Sequence, residues 1–125
     1  MNVEWFLNKK EMIVTIYETN MTFNTSAANH FKDSFSTIVG FDVKNNCLLV
    51  KPVTKKEVDD RNLRDDELHT MSIKPSYGRI NGKQLIKTLC YYYPIDFNNK
   101  KAHKYYCNWS TDENLLKIFL EREVE

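Results

Sequence analysis

The 125-residue chain carries 18 basic and 17 acidic side chains among 42% hydrophobic residues, a balance that suits one globular domain over 1–125 and excludes a disordered chain. No apolar run approaches the roughly 20 residues of a membrane span, and no basic, apolar and cleavage regions follow in order at the start, so a cytoplasmic protein without a membrane partner is expected. Cys47, Cys90 and Cys107 are odd in number and widely spaced, which signals neither a disulfide framework nor a zinc site, and no cofactor is expected.

Residues 1–11 place Trp5, Phe6 and Leu7 ahead of Asn8-Lys9-Lys10-Glu11, a pattern open to an initial turn or a strand. The β-branched run from Met12 to Tyr17 predicts a strand, with Glu18-Thr19-Asn20 as its turn. Met21 to Phe23 extends the chain again, and Asn24 is placed to cap a short helix from Thr25 to about Asp33 with Ala27, Ala28 and Phe31 inward. Thr37–Phe41 and Cys47–Lys51 read as strands of a hairpin closed over Asp42–Asn46, where paired Asn tolerates positive φ, and Pro52 is expected to end the second strand. Residues 53–70 form a polar connector with room for a solvated helical turn.

Met71–Ile73 resumes an extended pattern, and Pro75 and Gly78 mark a turn. Arg79-Ile80-Asn81-Gly82 then leads into an amphipathic helix with Leu85, Ile86 and Leu89 on one side. A linker follows from Cys90 to Asn99. Two strands, His103–Trp109 and Leu115–Leu120, flank a turn at Ser110–Asn114, and the tail Glu121–Glu125 is expected to fray. The order of elements thus occurs twice, with Asn24 matching Asn81 and the two hairpin turns matching each other. The predicted fold class is α+β: two βαββ-like repeats, about 12–52 and 71–120, forming one pseudo-symmetric, mainly antiparallel sheet domain. Both repeats lie in one chain, so a monomer or weak homodimer is expected.

Charge is uneven along the chain. Residues 71–109 hold seven basic side chains and one acidic, a balance of +6. Tyrosines and Trp109 alternate with these cations, a combination that serves phosphate contact and base stacking together. Charge runs are also commonly solvated faces, and the acidic connector offers a way to neutralise the lysines. Either DNA or another protein remains open as the partner. His103 and Cys107 share a strand face, yet four strand residues span about 13 Å, too far for a nucleophile and its base. Neither metal-ligand spacing nor a phosphate-binding Gly-rich loop is present, and a non-enzyme is expected.

Gly78-Arg79-Ile80, a short amphipathic helix and a hairpin resemble the opening of the AbrB/SpoVT-like swapped-hairpin transcription factors. The resemblance covers about half the chain and implies two units held in cis. It departs from the family at Asn81-Gly82, where Pro is common, and at Met21-Thr22-Phe23, where an Arg would stand. By that resemblance Arg79 leads a DNA-contact surface with Lys83 and Lys87, and the basic stretch adds Lys101 and Lys104.

Overall fold

The computed structural model describes residues 2–3 and 11–125, so the reading of Trp5-Phe6-Leu7 lies outside the described residues. Eight strands form one antiparallel sheet: β1 (Ile13–Ile16), β2 (Asn20–Asn24), β3 (Ser36–Asp42), β4 (Cys47–Val53), β5 (Met71–Ile73), β6 (Tyr77–Asn81), β7 (His103–Ser110) and β8 (Leu115–Glu123). Three helices accompany them, α1 (Thr25–Ala28), α2 (Lys55–Asp60) and α3 (Lys83–Tyr92), with single 3-10 turns at Asn29–Phe31 and Asp65–Glu67. The fold is α+β, as expected. No described helix is long and apolar enough to cross a membrane.

The strand order is β3-β4-β8-β7-β1-β2-β6-β5, so the β3–β4 hairpin does not lie beside the β1–β2 hairpin that precedes it. The later hairpin β7–β8 is inserted between them. The sheet curls until its outer strands approach and the architecture is nearly a barrel. Closure is made just ahead of β5, where Thr37 N–H donates to His69 O (3.2 Å) and His69 N–H donates to Thr37 O (2.8 Å). The buried Thr37 hydroxyl donates to the same carbonyl.

Alternation along the strands builds the core, because side chains two apart share a face. Val14 and Ile16, Met21 and Phe23, Leu48 and Val50, and Leu116, Ile118 and Leu120 all point inward. Ala27 and Phe31 cover the core on one side, and Ile86 and Leu89 of α3 on another. Burying a side chain such as Phe23 or Ile16 contributes roughly 1.5–3 kcal/mol. The two helices dock on hairpins distant in sequence: Phe31 meets Trp109 of β7 edge-on at 5.9 Å, and Tyr92 at the end of α3 stacks on Phe41 of β3 at 5.2 Å.

Asn24 caps α1 as its type suggests, accepting from Ala27 N–H (3.1 Å) and Ile13 N–H (3.2 Å) while donating to Glu11 O (2.7 Å). Positive φ falls at Asn46 (51°) and Asn114 (54°), closing the two predicted hairpins. Several expectations are corrected. Tyr17 N–H donates to Asn20 O (2.8 Å), and Lys74 N–H to Tyr77 O (2.8 Å), so two paired strands, and not one, precede each of α1 and α3. Pro52 lies inside β4, opposite Thr37 and beyond Val50, the last residue paired to β8, where one side of the strand needs no donor. Gly78 belongs to β6 and not to the turn: a Cβ there would sit 2.8 Å from Met71 Sδ and 3.1 Å from Ala28 Cβ. α1 gives way to a 3-10 turn ending at Phe31, short of Asp33, and α3 runs on to Tyr92. β8 continues to Glu123 because Val124 N–H donates to Lys104 O (2.8 Å) and the Glu123 carboxylate is held by Lys100 and His103.

Candidate nucleic-acid interface

Arg79 lies within β6, and α3 begins at Lys83, so the arginine stands on the sheet and does not lead directly into the helix. Gly78 and Ile80 face the core, which turns Tyr77 and Arg79 to the outer face. The guanidinium carbon is 5.1 Å from the Tyr77 ring centroid. The stacking covers one face of the guanidinium. Its Nε is buried and has no hydrogen-bond partner among the described residues, which leaves the terminal nitrogens for an external acceptor.

Register carries Arg79 into a row across the sheet. Ser72 of β5 and Thr22 of β2 pair with it, Thr15 of β1 pairs with Thr22, and Lys104 of β7 pairs with Thr15. Arg79 and Lys104 therefore share the outer face, three strand spacings or about 14 Å apart, with two threonines between.

Lys83 and Lys87 are exposed one helical turn apart on α3, while Ile86 and Leu89 are buried. The start of α3 is pinned to the β1–β2 turn, since Gly82 N–H donates to Thr19 O (2.9 Å). Gly82, and not Asn81, occupies the cap position and supplies no side-chain acceptor. Glu18 and Phe97 join Lys83 and Lys87 in one depression and join Lys101 in the next. Those three lysines thus gather round the β1–β2 turn, with Glu18 as the acidic side chain among them.

The loop carrying Lys101 is fixed by His103. Its Nδ1 lies 3.0 Å from Glu123 Oε1, and its Nε2 lies 2.8 Å from Lys100 O and 3.1 Å from Asp96 O. Lys100 Nζ binds the same Glu123 oxygen at 3.0 Å, and with His103 it holds that carboxyl below the usual glutamate value. Lys100 is therefore occupied, whereas Lys101 beside it forms no ion pair among the described residues.

Ion pairs elsewhere involve Lys56, Arg64, Lys100, His103 and Lys117 among the described residues. In the connector, Asp60 pairs with Lys56, and Asp66 and Glu67 pair with Arg64, and among the described residues no connector carboxylate forms an ion pair with residues 71–109. Among the described residues, none of Arg79, Lys83, Lys87, Lys101 and Lys104 forms an ion pair.

The groups weighed for catalysis have other surroundings. Burial pushes the Cys107 thiol up to about 12, far from a thiolate at neutral pH. Both ring nitrogens of His103 face acceptors within the protein. His30 stacks on Trp109 at 4.3 Å, and burial lowers its pKa. No group of three His, Cys, Asp or Glu side chains is placed to hold a metal among the described residues.

Sequence reasoning missed Tyr77 as the platform for Arg79 and the threonine row that joins Arg79 to Lys104. Period-two alternation in Tyr77-Gly78-Arg79-Ile80 carried the first signal; the second depends on strand pairings that no local pattern encodes. No family model matches the chain, and no curated protein or solved structure matches it either.

Proposed function

We propose that the protein is a non-enzymatic DNA-binding regulator whose contact surface is built from Arg79, Lys83, Lys87, Lys101 and Lys104. The observation that carries this reading is that five cations, four of them within residues 79–101 of one basic stretch, stand without ion-pair partners among the described residues. Three of them surround the β1–β2 turn, and Arg79 and Lys104 lie on the outer face of the strands leading to that end. A polyanion passing this end would meet lysines as point charges and one planar guanidinium suited to bidentate contact with phosphate or guanine.

Internal duplication is part of the proposal. Adding 57 to the pair Val14↔Phe23 gives Met71↔Ile80, and adding 68 to Asp42↔Cys47 gives Ser110↔Leu115. Thr22↔Arg79, 57 apart, and Leu49↔Lys117, 68 apart, are themselves paired, as residues on a pseudo-two-fold axis would be. Each hairpin inserted beside the strands of the other half supports a relationship to swapped-hairpin transcription factors with both units in cis. Thr22, at the place of Arg79 in the first half, leaves DNA contact to the second. A monomer or weak homodimer follows, and sedimentation at micromolar concentration checks it, a tight tetramer counting against it.

The test is titration of mixed DNA fragments with wild type and Arg79→Ala at low salt. Binding by wild type that weakens by about tenfold in the variant is expected, as for a charge-assisted contact of roughly 1.5 kcal/mol. No binding by wild type, or no loss on substitution, removes the assignment in favour of a protein partner.

A further inference from the structure

The outer face of the sheet carries a second cation–aromatic stack besides that of Arg79 on Tyr77. Tyr106 of β7 pairs with Ile13 of β1, next to the inward-facing pair Tyr105 and Val14, so its ring stands on the outer face. Phe119 of β8 lies between the buried Ile118 and Leu120 and faces the same way. The Arg122 guanidinium carbon is 5.8 Å from the Tyr106 ring centroid and 5.5 Å from that of Phe119. Arg122 is exposed and, among the described residues, forms no ion pair. The carboxylates on either side of it in sequence are engaged, Glu121 by Asn46 Nδ2 (2.8 Å) and Glu123 by Lys100 and His103.

Register sets the two stacks opposite each other. Ile13, paired with Tyr106, donates its N–H to Asn24 Oδ1 (3.2 Å), and Asn24 pairs with Tyr77. Tyr77 and Tyr106 therefore stand at the two ends of a row across β6, β2, β1 and β7, three strand spacings or about 14 Å apart. The row of Arg79, Thr22, Thr15 and Lys104 runs beside it, so each end holds a ring and a cation, and the lane between holds no carboxylate. We infer that this face takes single-stranded DNA, with unpaired bases stacked at the Arg79–Tyr77 and Arg122–Tyr106 pairs and phosphates running past Thr22, Thr15 and Lys104. The inference rests on the DNA-binding reading above and narrows it to one form of DNA. Rings and guanidinium planes both stack on bases, and only unpaired bases present a free face to them. A duplex suits this face poorly. Its major groove, about 12 Å wide, admits a helix or a two-stranded ribbon, whereas the two ends here are about 14 Å apart on the outside of a curled sheet.

The probe is single-stranded oligothymidylate of about 15 nucleotides, titrated with the full chain at low salt beside a mixed-sequence duplex of the same length. The single strand is expected to bind at least about tenfold more tightly than the duplex. Arg122→Gln and Tyr106→Leu should each weaken single-strand binding by about tenfold and leave duplex affinity within about twofold. The slope of log affinity against log salt should become shallower in Arg122→Gln and stay unchanged in Tyr106→Leu, since a stacked ring releases no counterion. Arg122 is exposed, so its variant decides the matter if Tyr106→Leu does not fold. A duplex bound as tightly as the single strand, or single-strand affinity unchanged in Arg122→Gln, would overturn the inference and leave the basic surface standing. No binding of either form would remove both. Tighter binding of oligouridylate of the same length would overturn DNA as the occupant.

Discussion

Gly78 is the residue whose side chain the fold can least accept. An added Cβ would meet Met71 Sδ at 2.8 Å and Ala28 Cβ at 3.1 Å, and only the methionine end can move aside. Gly78→Ala should therefore destabilise by about 1–3 kcal/mol in urea unfolding, the range for overpacking a core. Combining it with Met71→Ala should recover part of that loss. A neutral Gly78→Ala would mean that β5 and β6 are packed less closely than described. Glu123 gives a second residue-scale expectation. Lys100 and His103 hold its carboxyl below the usual glutamate value, so its contribution is present above about pH 4.5 and is lost as pH falls through the lower folded value. The wild-type advantage over Glu123→Gln, under about 1 kcal/mol for so exposed a carboxylate, should shrink as pH falls below about 4.5. An advantage that grows as pH falls below that value would contradict the ion pair.

At the scale of elements, local chemistry and distant pairing divide cleanly. The cap at Asn24, the positive φ at Asn46, the turn ending at Asn114 and the inward face of α3 at Ile86 and Leu89 were legible because each depends on neighbours within a few residues. Pro52 inside β4 and the extension of β8 to Glu123 were not, because both are permitted by partners far along the chain. Gly78 carries a turn-forming residue type, and its burial in β6 depends on Met71 and Ala28. Sheet closure is the weakest seam of this design. Among the described residues one exchanged backbone pair at Thr37 and His69, with hydroxyl bonds from Thr37 to His69 O and between Ser36 and Thr70, joins the outer strands, whereas Leu48 and Val50 lie in a strand flanked on both sides. The His69 amide should exchange at least about tenfold faster than those of Leu48 and Val50, since local opening there breaks few contacts. Equal protection would show that the closure belongs to the global folding unit.

For the whole molecule, composition and strand grammar indicated an antiparallel α+β domain, but the interleaved order of hairpins was beyond them, because adjacency in a sheet is set by packing and not by sequence order. The candidate site was legible as charge: the seven cations of residues 71–109 are readable directly, as is the exposed spacing of Lys83 and Lys87. Its geometry was not, since Arg79 reaches Lys104 only through β2 and β1. The reading of these five side chains as a polyanion surface is tested most directly by the salt dependence of DNA affinity. Five neutralised phosphates predict a slope of log affinity against log salt of about −4.5, becoming shallower by about 0.9 in Arg79→Ala. A slope near zero, or one that Arg79→Ala leaves unchanged, would contradict the account.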